Sequence, residues 1–212
     1  MIPIERSEEP AILAEIRKSS NGEYQRATKQ SPWRAAEIVG VLRADAKGKC
    51  MYCEAAMDDV SYGAVEHIRP KSKFPSQDMT WGNLGYCCTR CNTNKGSYWS
   101  DAPEMCLLNP YEDEVDQHLK WAGPLATVCN NSSRGENTLR QLKFAEREDL
   151  LISRARRIQD LDVRLRNWER ETRGEVKELL AQDVRSALGT HVEFTAALRA
   201  FALNRGFPLE DG

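Results

Sequence analysis

Two Cys-x-x-Cys pairs, Cys50/Cys53 and Cys88/Cys91, bracket Glu66-His67 and Asn83, and Asn92 and Lys95 follow the second pair at once. A hydrophobic core has no need of that arrangement, but a metal site does. Zinc in a structural site takes four thiolate or imidazole ligands, and each Cys-x-x-Cys knuckle supplies two. Cys50, Cys53, Cys88 and Cys91 are therefore read as the ligands of one structural Zn2+. The 34 residues between the pairs exceed what a compact zinc ribbon needs, so that segment is expected to fold out as its own excursion. Cys87 adjoins Cys88 and could compete with it; Cys88 restores the two-residue spacing and is preferred. Cys106 and Cys129 have no partner at ligand spacing and read as buried small hydrophobes. Seven cysteines is an odd number, and paired knuckles in a reducing compartment are more often metal ligands than disulfides.

Taken singly, the polar residues of this stretch have plain structural readings. Asn83 suits a turn or cap, Asn92 a cap just after the knuckle, Lys95 a helix end, and Glu66 a solvated strand position. Of the three histidines, His118 follows an acidic stretch and His191 starts a helix, so both are assigned to structure. His67 differs because a carboxylate precedes it and an asparagine-bearing metal motif follows. The order of the residues, more than any one of them, argues for a site.

That order, Cys-x-x-Cys, Glu-His-Ile-x-Pro-Lys, Asn-Leu, Cys-x-x-Cys-Asn-x-x-Lys, resembles the HNH endonucleases of the zinc-stabilised ββα-metal group. Asn83 and Asn92 match the second and third signature positions, which makes this an HNN variant, and Glu66 replaces the more usual Asp. Trp33, the Tyr52-Cys53-Glu54 knuckle, Val65 to Lys71, and Leu107-Leu108-Asn109-Pro110 are further similar to PtuB-type HNH proteins of the Septu anti-phage defence system. The resemblance implies His67 as general base, Asn83 as the residue that orients it or its backbone surroundings, and Glu66 and Asn92 as oxygen ligands of Mg2+ or another divalent ion. It also implies Lys95, and Arg69 beside it, facing phosphate oxygens. The implied function is cleavage of nucleic acid phosphodiesters, DNA foremost, beside a PtuA-type ATPase partner. An RNase built on the same chemistry, and a zinc-stapled binding or scaffolding module without catalysis, are the alternatives.

Charge distribution bears on the same stretch. Net charge is −2, which argues against non-specific coating of nucleic acid but not against a local basic patch. From Ser61 to Ser100 the basic residues Arg69, Lys71, Lys73, Arg90 and Lys95 face only Glu66 and Asp78, while Asp101 to Asp116 holds six acids and no lysine or arginine. Arg69, Lys71, Lys73 and Arg90 are read as a nucleic-acid-facing set. No apolar run approaches the roughly 20 residues of a membrane span, and the N-terminus has no signal-peptide core, so a cytoplasmic location is expected.

Around the stretch, the pattern predicts an α+β protein, mostly α. Residues 1–48 form an N-terminal helical segment with helices over 9–19, ended by Asn21-Gly22, and over 32–46. Residues 49–110 form the zinc-stapled core, with short strands near 60–68, Gly63 as a turn, and a helical turn over 81–86. Residues 111–212 form a loop-rich connector to about 136 and then a helical region. Leu151, Ala155, Ile158, Leu161, Leu165 and Trp168 mark one long helix, Val176 to Leu188 another. Thr190-x-x-Glu193 is a capping-box pattern opening a last helix that carries Phe194, Leu198 and Phe201.

Overall fold

The computed structural model of the protein describes residues 1–19, 31–57 and 63–209. The N-terminal part is helical. Helix α1 spans Ala11–Ser19 and buries Leu13 and Ile16. The helix expected over 32–46 is split: Pro32–Arg34 make one 3-10 turn, and α2 runs over Ala36–Asp45. The break falls at Ala35, whose extended ψ of 138° cannot continue a helix. Ile38 and Leu42 of α2 reach the core at zero exposure. Asn21-Gly22 and residues 60–62 of the expected strand lie outside the described residues.

At the centre is a ββα unit. Strand β1, Gly63–His67, pairs antiparallel with β2, Leu84–Cys88, in a register that sets Gly63 opposite Cys88 and His67 opposite Leu84. Helix α3, Thr89–Lys95, follows β2 directly, and the Cys88 sulfur caps it by accepting from Cys91 N. Gly63 is a strand residue, not the turn its type suggested. The Tyr86 ring lies where a Cβ would project, so glycine is there for cross-strand space. The helical turn expected over 81–86 is a single 3-10 turn at Trp81–Asn83, after which Leu84 begins β2. Arg6, from the chain's start, fixes that junction by donating to the carbonyls of Trp81 and Leu84 at 3.0 Å each.

The connector is more ordered than its Gly, Pro and Asn content implied. Strands β3 (Leu119–Ala122) and β4 (Leu125–Val128) form a hairpin turned at Gly123, whose φ of 58° suits glycine. Helix α4, Ser133–Gln141, opens on Ser132, whose hydroxyl accepts from Gly135 N at 3.0 Å. Helices α5 (Glu148–Arg170), α6 (Gly174–Ala187) and α7 (Thr195–Asn204) complete the chain. The capping box does not form. Phe194 precedes α7 in the left-handed region, while the Glu193 carboxylate takes Arg157 at 2.6 Å and Ala56 N at 3.2 Å.

Apolar side chains gather in two clusters. The larger joins the N-terminal helices, the ββα unit, the connector and the start of α5 around Leu13, Leu42, Tyr52, Leu84, Leu142 and Phe144. The smaller lies among Ile158, Leu161 and Leu165 of α5, Val184 of α6 and Leu198 of α7. Helix α5 therefore belongs to both. Its buried stripe is Leu150, Arg154, Ile158, Leu161 and Leu165, with an arginine in the place periodicity gave to Ala155. Leu179, expected on the apolar side of α6, is exposed. Among the described residues no helix is long and apolar enough to cross a membrane.

Candidate metal and catalytic centre

The four predicted sulfurs come together. Cys50 and Cys53 stand in a tight turn after α2, closed by Cys50 N to Ala55 O and Glu54 N to Cys50 O at 3.0 Å each. Glu54 takes a φ of 61° to make it. Met51 N donates to Tyr86 O at 2.9 Å and so hangs this knuckle on β2, which delivers Cys88 and then Cys91 on the first turn of α3. The sulfurs of Cys50, Cys53, Cys88 and Cys91 all lie within 4.8 Å of one another, and Cys53 and Cys88 are 3.9 Å apart. Zn–S bonds of about 2.3 Å in a tetrahedron place sulfurs about 3.8 Å apart, so the cluster fits zinc.

Charge in the cluster is shared unevenly. Burial pushes the Cys50 thiol well up, while hydrogen bonds from Cys50, Cys53 and Cys91 hold the Cys88 thiol far below its ordinary range. Sulfurs crowded in a dry pocket release their protons unequally, Cys88 and Cys53 readily and Cys50 and Cys91 poorly, and a divalent cation removes that penalty. Cys87 is buried with its sulfur 3.8 Å from Glu66 Oε2, pointing away from the cluster. Cys106 and Cys129 are half-buried rather than core residues, and the Cys106 thiol donates to the Ser100 carbonyl at 3.2 Å.

His67 ends β1. Its Nε2 is 3.0 Å from the Asp78 carbonyl, which can only accept, so the proton sits on Nε2 and the lone pair on Nδ1. Trp33 meets the imidazole edge-on, with centroids 4.8 Å apart. Burial is the main cause of a lowered imidazole pKa, with the Asp78 hydrogen bond opposing it. Asn83 does not touch the ring. It clamps the backbone beyond it, accepting from Arg69 N at 2.6 Å and donating to Arg69 O at 3.1 Å and Gln77 O at 2.9 Å. The loop that leaves His67 and the loop that brings back Asp78 are thereby tied together.

Glu66 and Lys95 are not where the motif order led one to expect. Both are buried, and Lys95 Nζ lies 2.5 Å from Glu66 Oε1 and 2.7 Å from the His67 carbonyl. Tyr52 Oη is 3.4 Å from the same carboxylate. Lys95 thus faces inward rather than toward a phosphate, and Glu66 as placed is engaged rather than open to a hard cation. Alternation along β1 accounts for this, because His67 and Glu66 point to opposite faces of the strand. Asn92 is half-buried on α3. Of the two expected ligands, Glu66 is already held by Lys95.

The basic residues divide as well. Arg69, Lys71 and Lys73 are exposed on the loop after His67. The Lys71 ammonium lies 4.3 Å over Trp33, and the Arg69 guanidinium 5.2 Å over Trp99 and 5.9 Å over Phe74. Arg90 is on α3 with its guanidinium 2.9 Å from Asp149 of α5. His118 is structural, with Nδ1 2.6 Å from the Ser132 hydroxyl. Sequence reasoning missed Trp33 and the Asp78 carbonyl as the groups that set the His67 ring, and it missed Arg147, which donates to Cys91 Sγ at 3.3 Å. A carbonyl leaves no trace in residue type, and an arginine 56 residues from its sulfur carries no spacing signal.

Residues 50–98 match the family model described as HNH endonuclease, a span that contains all four sulfurs, His67, Asn83, Asn92 and the buried pair. Septu protein PtuB of Bacillus mycoides (strain KBAB4) is 28% identical, over 77% of this chain and 69% of that protein. Septu protein PtuB of Bacillus thuringiensis is 32% identical, over 57% of this chain and 46% of that protein, so the match takes in under half of that relative.

Proposed function

We propose, from the HNH endonuclease domain that residues 50–98 of this chain carry, that the protein is a divalent-cation-dependent endonuclease that cuts DNA as the effector of a Septu-type anti-phage complex with a PtuA-type ATPase partner. The observation that carries the catalytic part is the state of His67. Its Nε2 is committed to the Asp78 carbonyl, and burial keeps the ring neutral near physiological pH. Nδ1 takes a proton from water, the hydroxide attacks phosphorus, and the leaving oxygen departs with a proton from solvent. Trp33 and the Asn83 clamp hold the ring and its loops in place for that transfer. Asn92 would hold the cation, Mg2+ or another divalent ion, which when bound supplies positive charge to the scissile phosphate.

Arg69, Lys71 and Lys73, exposed on the loop that follows His67, are the residues offered to the phosphate backbone. Lys95 acts from inside, through the His67 carbonyl and Glu66. The name shared by the relatives supports the Septu reading, and the modest charge of −2 favours substrate brought by a partner over strong binding by this chain alone. Purified protein, alone and with a PtuA-type ATPase, is incubated in Mg2+ with supercoiled plasmid and, separately, with total RNA. Nicking of the plasmid with intact RNA is expected; degraded RNA beside untouched plasmid overturns the DNA assignment.

A further inference from the structure

Helix α5 reaches the four-cysteine cluster from outside the ββα unit. Arg147, at its N-terminal boundary, has a side chain only 6% exposed and donates to Cys91 Sγ at 3.3 Å. Arg154, two turns on, is fully buried and donates to the Cys53 carbonyl at 3.2 Å. One arginine thus contacts each knuckle. Asp149, 3.5 Å from Arg147, is half exposed and also serves Arg90, so it is a weak partner for a buried guanidinium. Among the described residues Arg154 bonds only to carbonyls, those of Cys53 and of Pro124 at 3.4 Å, and lies within 5.6 Å of the ring centroids of Trp121, Phe144 and Phe194. Glu54, the buried carboxylate next to Cys53, is already paired with Lys49 and with the Met1 amino group.

Two buried guanidiniums with so little carboxylate around them need another source of negative charge. Four thiolates around one divalent cation keep two negative charges, in a pocket where Cys50, Cys53 and Cys91 are almost wholly enclosed. Burying that charge uncompensated is costly, as is burying the arginines alone, and each deficit is met by the other. We propose that Arg147 and Arg154 are the charge partners of the metal-bound thiolates, and that through them the ion fastens α5, and with it the C-terminal helices, to the nuclease domain. The proposal rests on the four cysteines holding zinc and is independent of which phosphodiester is cut.

Zinc-loaded wild type, Arg147→Met, Arg147→Gln and, as a control on the same helix, Arg164→Met are mixed with a colorimetric chelator and zinc release is followed with time. Circular dichroism checks the fold of each. Both Arg147 variants are expected to release zinc about tenfold faster, in line with what groups hydrogen-bonded to metal ligands contribute, and Arg164→Met at the wild-type rate. A folded Arg147 variant that keeps zinc as long as wild type overturns the proposal. Hydrogen exchange on the wild type needs no variant: amides of 147–154 are expected to lose protection when zinc is stripped, and unchanged protection there overturns the fastening role.

Discussion

The Lys95 ammonium bridges Glu66 Oε1, at 2.5 Å, and the carbonyl oxygen of His67, at 2.7 Å. A cation from the last turn of α3 thus grips β1 on either side of one peptide bond. The contact sets the depth of the helix against the strand that presents the imidazole. Burial pushes the Glu66 carboxyl upward, and Lys95 is the chief group that opposes it.

Removing the lysine therefore leaves a buried carboxylate without its partner. Lys95→Met is expected to cost about 3–5 kcal/mol in urea unfolding of the zinc-loaded protein. The double variant Lys95→Met with Glu66→Gln should recover part of that loss, because no charge is then stranded. A loss below about 1 kcal/mol for the single variant would mean the pair behaves like an exposed one.

Protonation of His67 should set the acid limb of activity. Burial lowers its pKa, and a base works only when unprotonated, so cleavage should rise with pH and level off at a midpoint below the roughly 6.5 of a free imidazole. The same shift has a stability consequence. The unfolded chain binds this proton more readily than the folded one, so its contribution is present above about pH 6.5 and is lost as pH falls through that range. Single-turnover rates across the acid range test the first point, and a midpoint above that of free imidazole would refute it.

Metal removal and base removal should separate. Cys88→Ser or prolonged chelation takes away the link between the two knuckles and should abolish the cooperative melt of the domain. His67→Ala should bind a full equivalent of zinc and melt within a few degrees of wild type. Zinc content and calorimetry on the same samples decide it, and a Cys88→Ser protein that melts like wild type would remove the structural role of the cluster.

The contrast between Cys88 and Glu66 shows what could be read from the chain. The knuckles announce themselves because a tetrahedral ion imposes a spacing, and Cys88 was preferred to its neighbour Cys87 on that ground alone. The long α5 was legible from its apolar period, and the ββα unit from its resemblance to a family. Glu66 and its partner Lys95 were not legible because a motif gives residue type and order but not the face of a strand, and one step along β1 moves a side chain to the opposite face. The β3–β4 hairpin was hidden by turn-forming residues that belong to its ends. Arg154 could not be foreseen, since its counter-charge exists only once four sulfurs have assembled.

We propose that the imidazole of His67, held by Asp78 and Trp33, performs hydrolysis on a domain whose fold does not depend on it. The most direct test of that role is plasmid nicking in Mg2+, in the presence of the proposed PtuA-type ATPase, by wild type and by His67→Ala matched for zinc content and melting temperature. Loss of about 100-fold or more in rate with an unchanged melt is the predicted result, in the range that positioned general bases contribute. Equal nicking by the two proteins would contradict it.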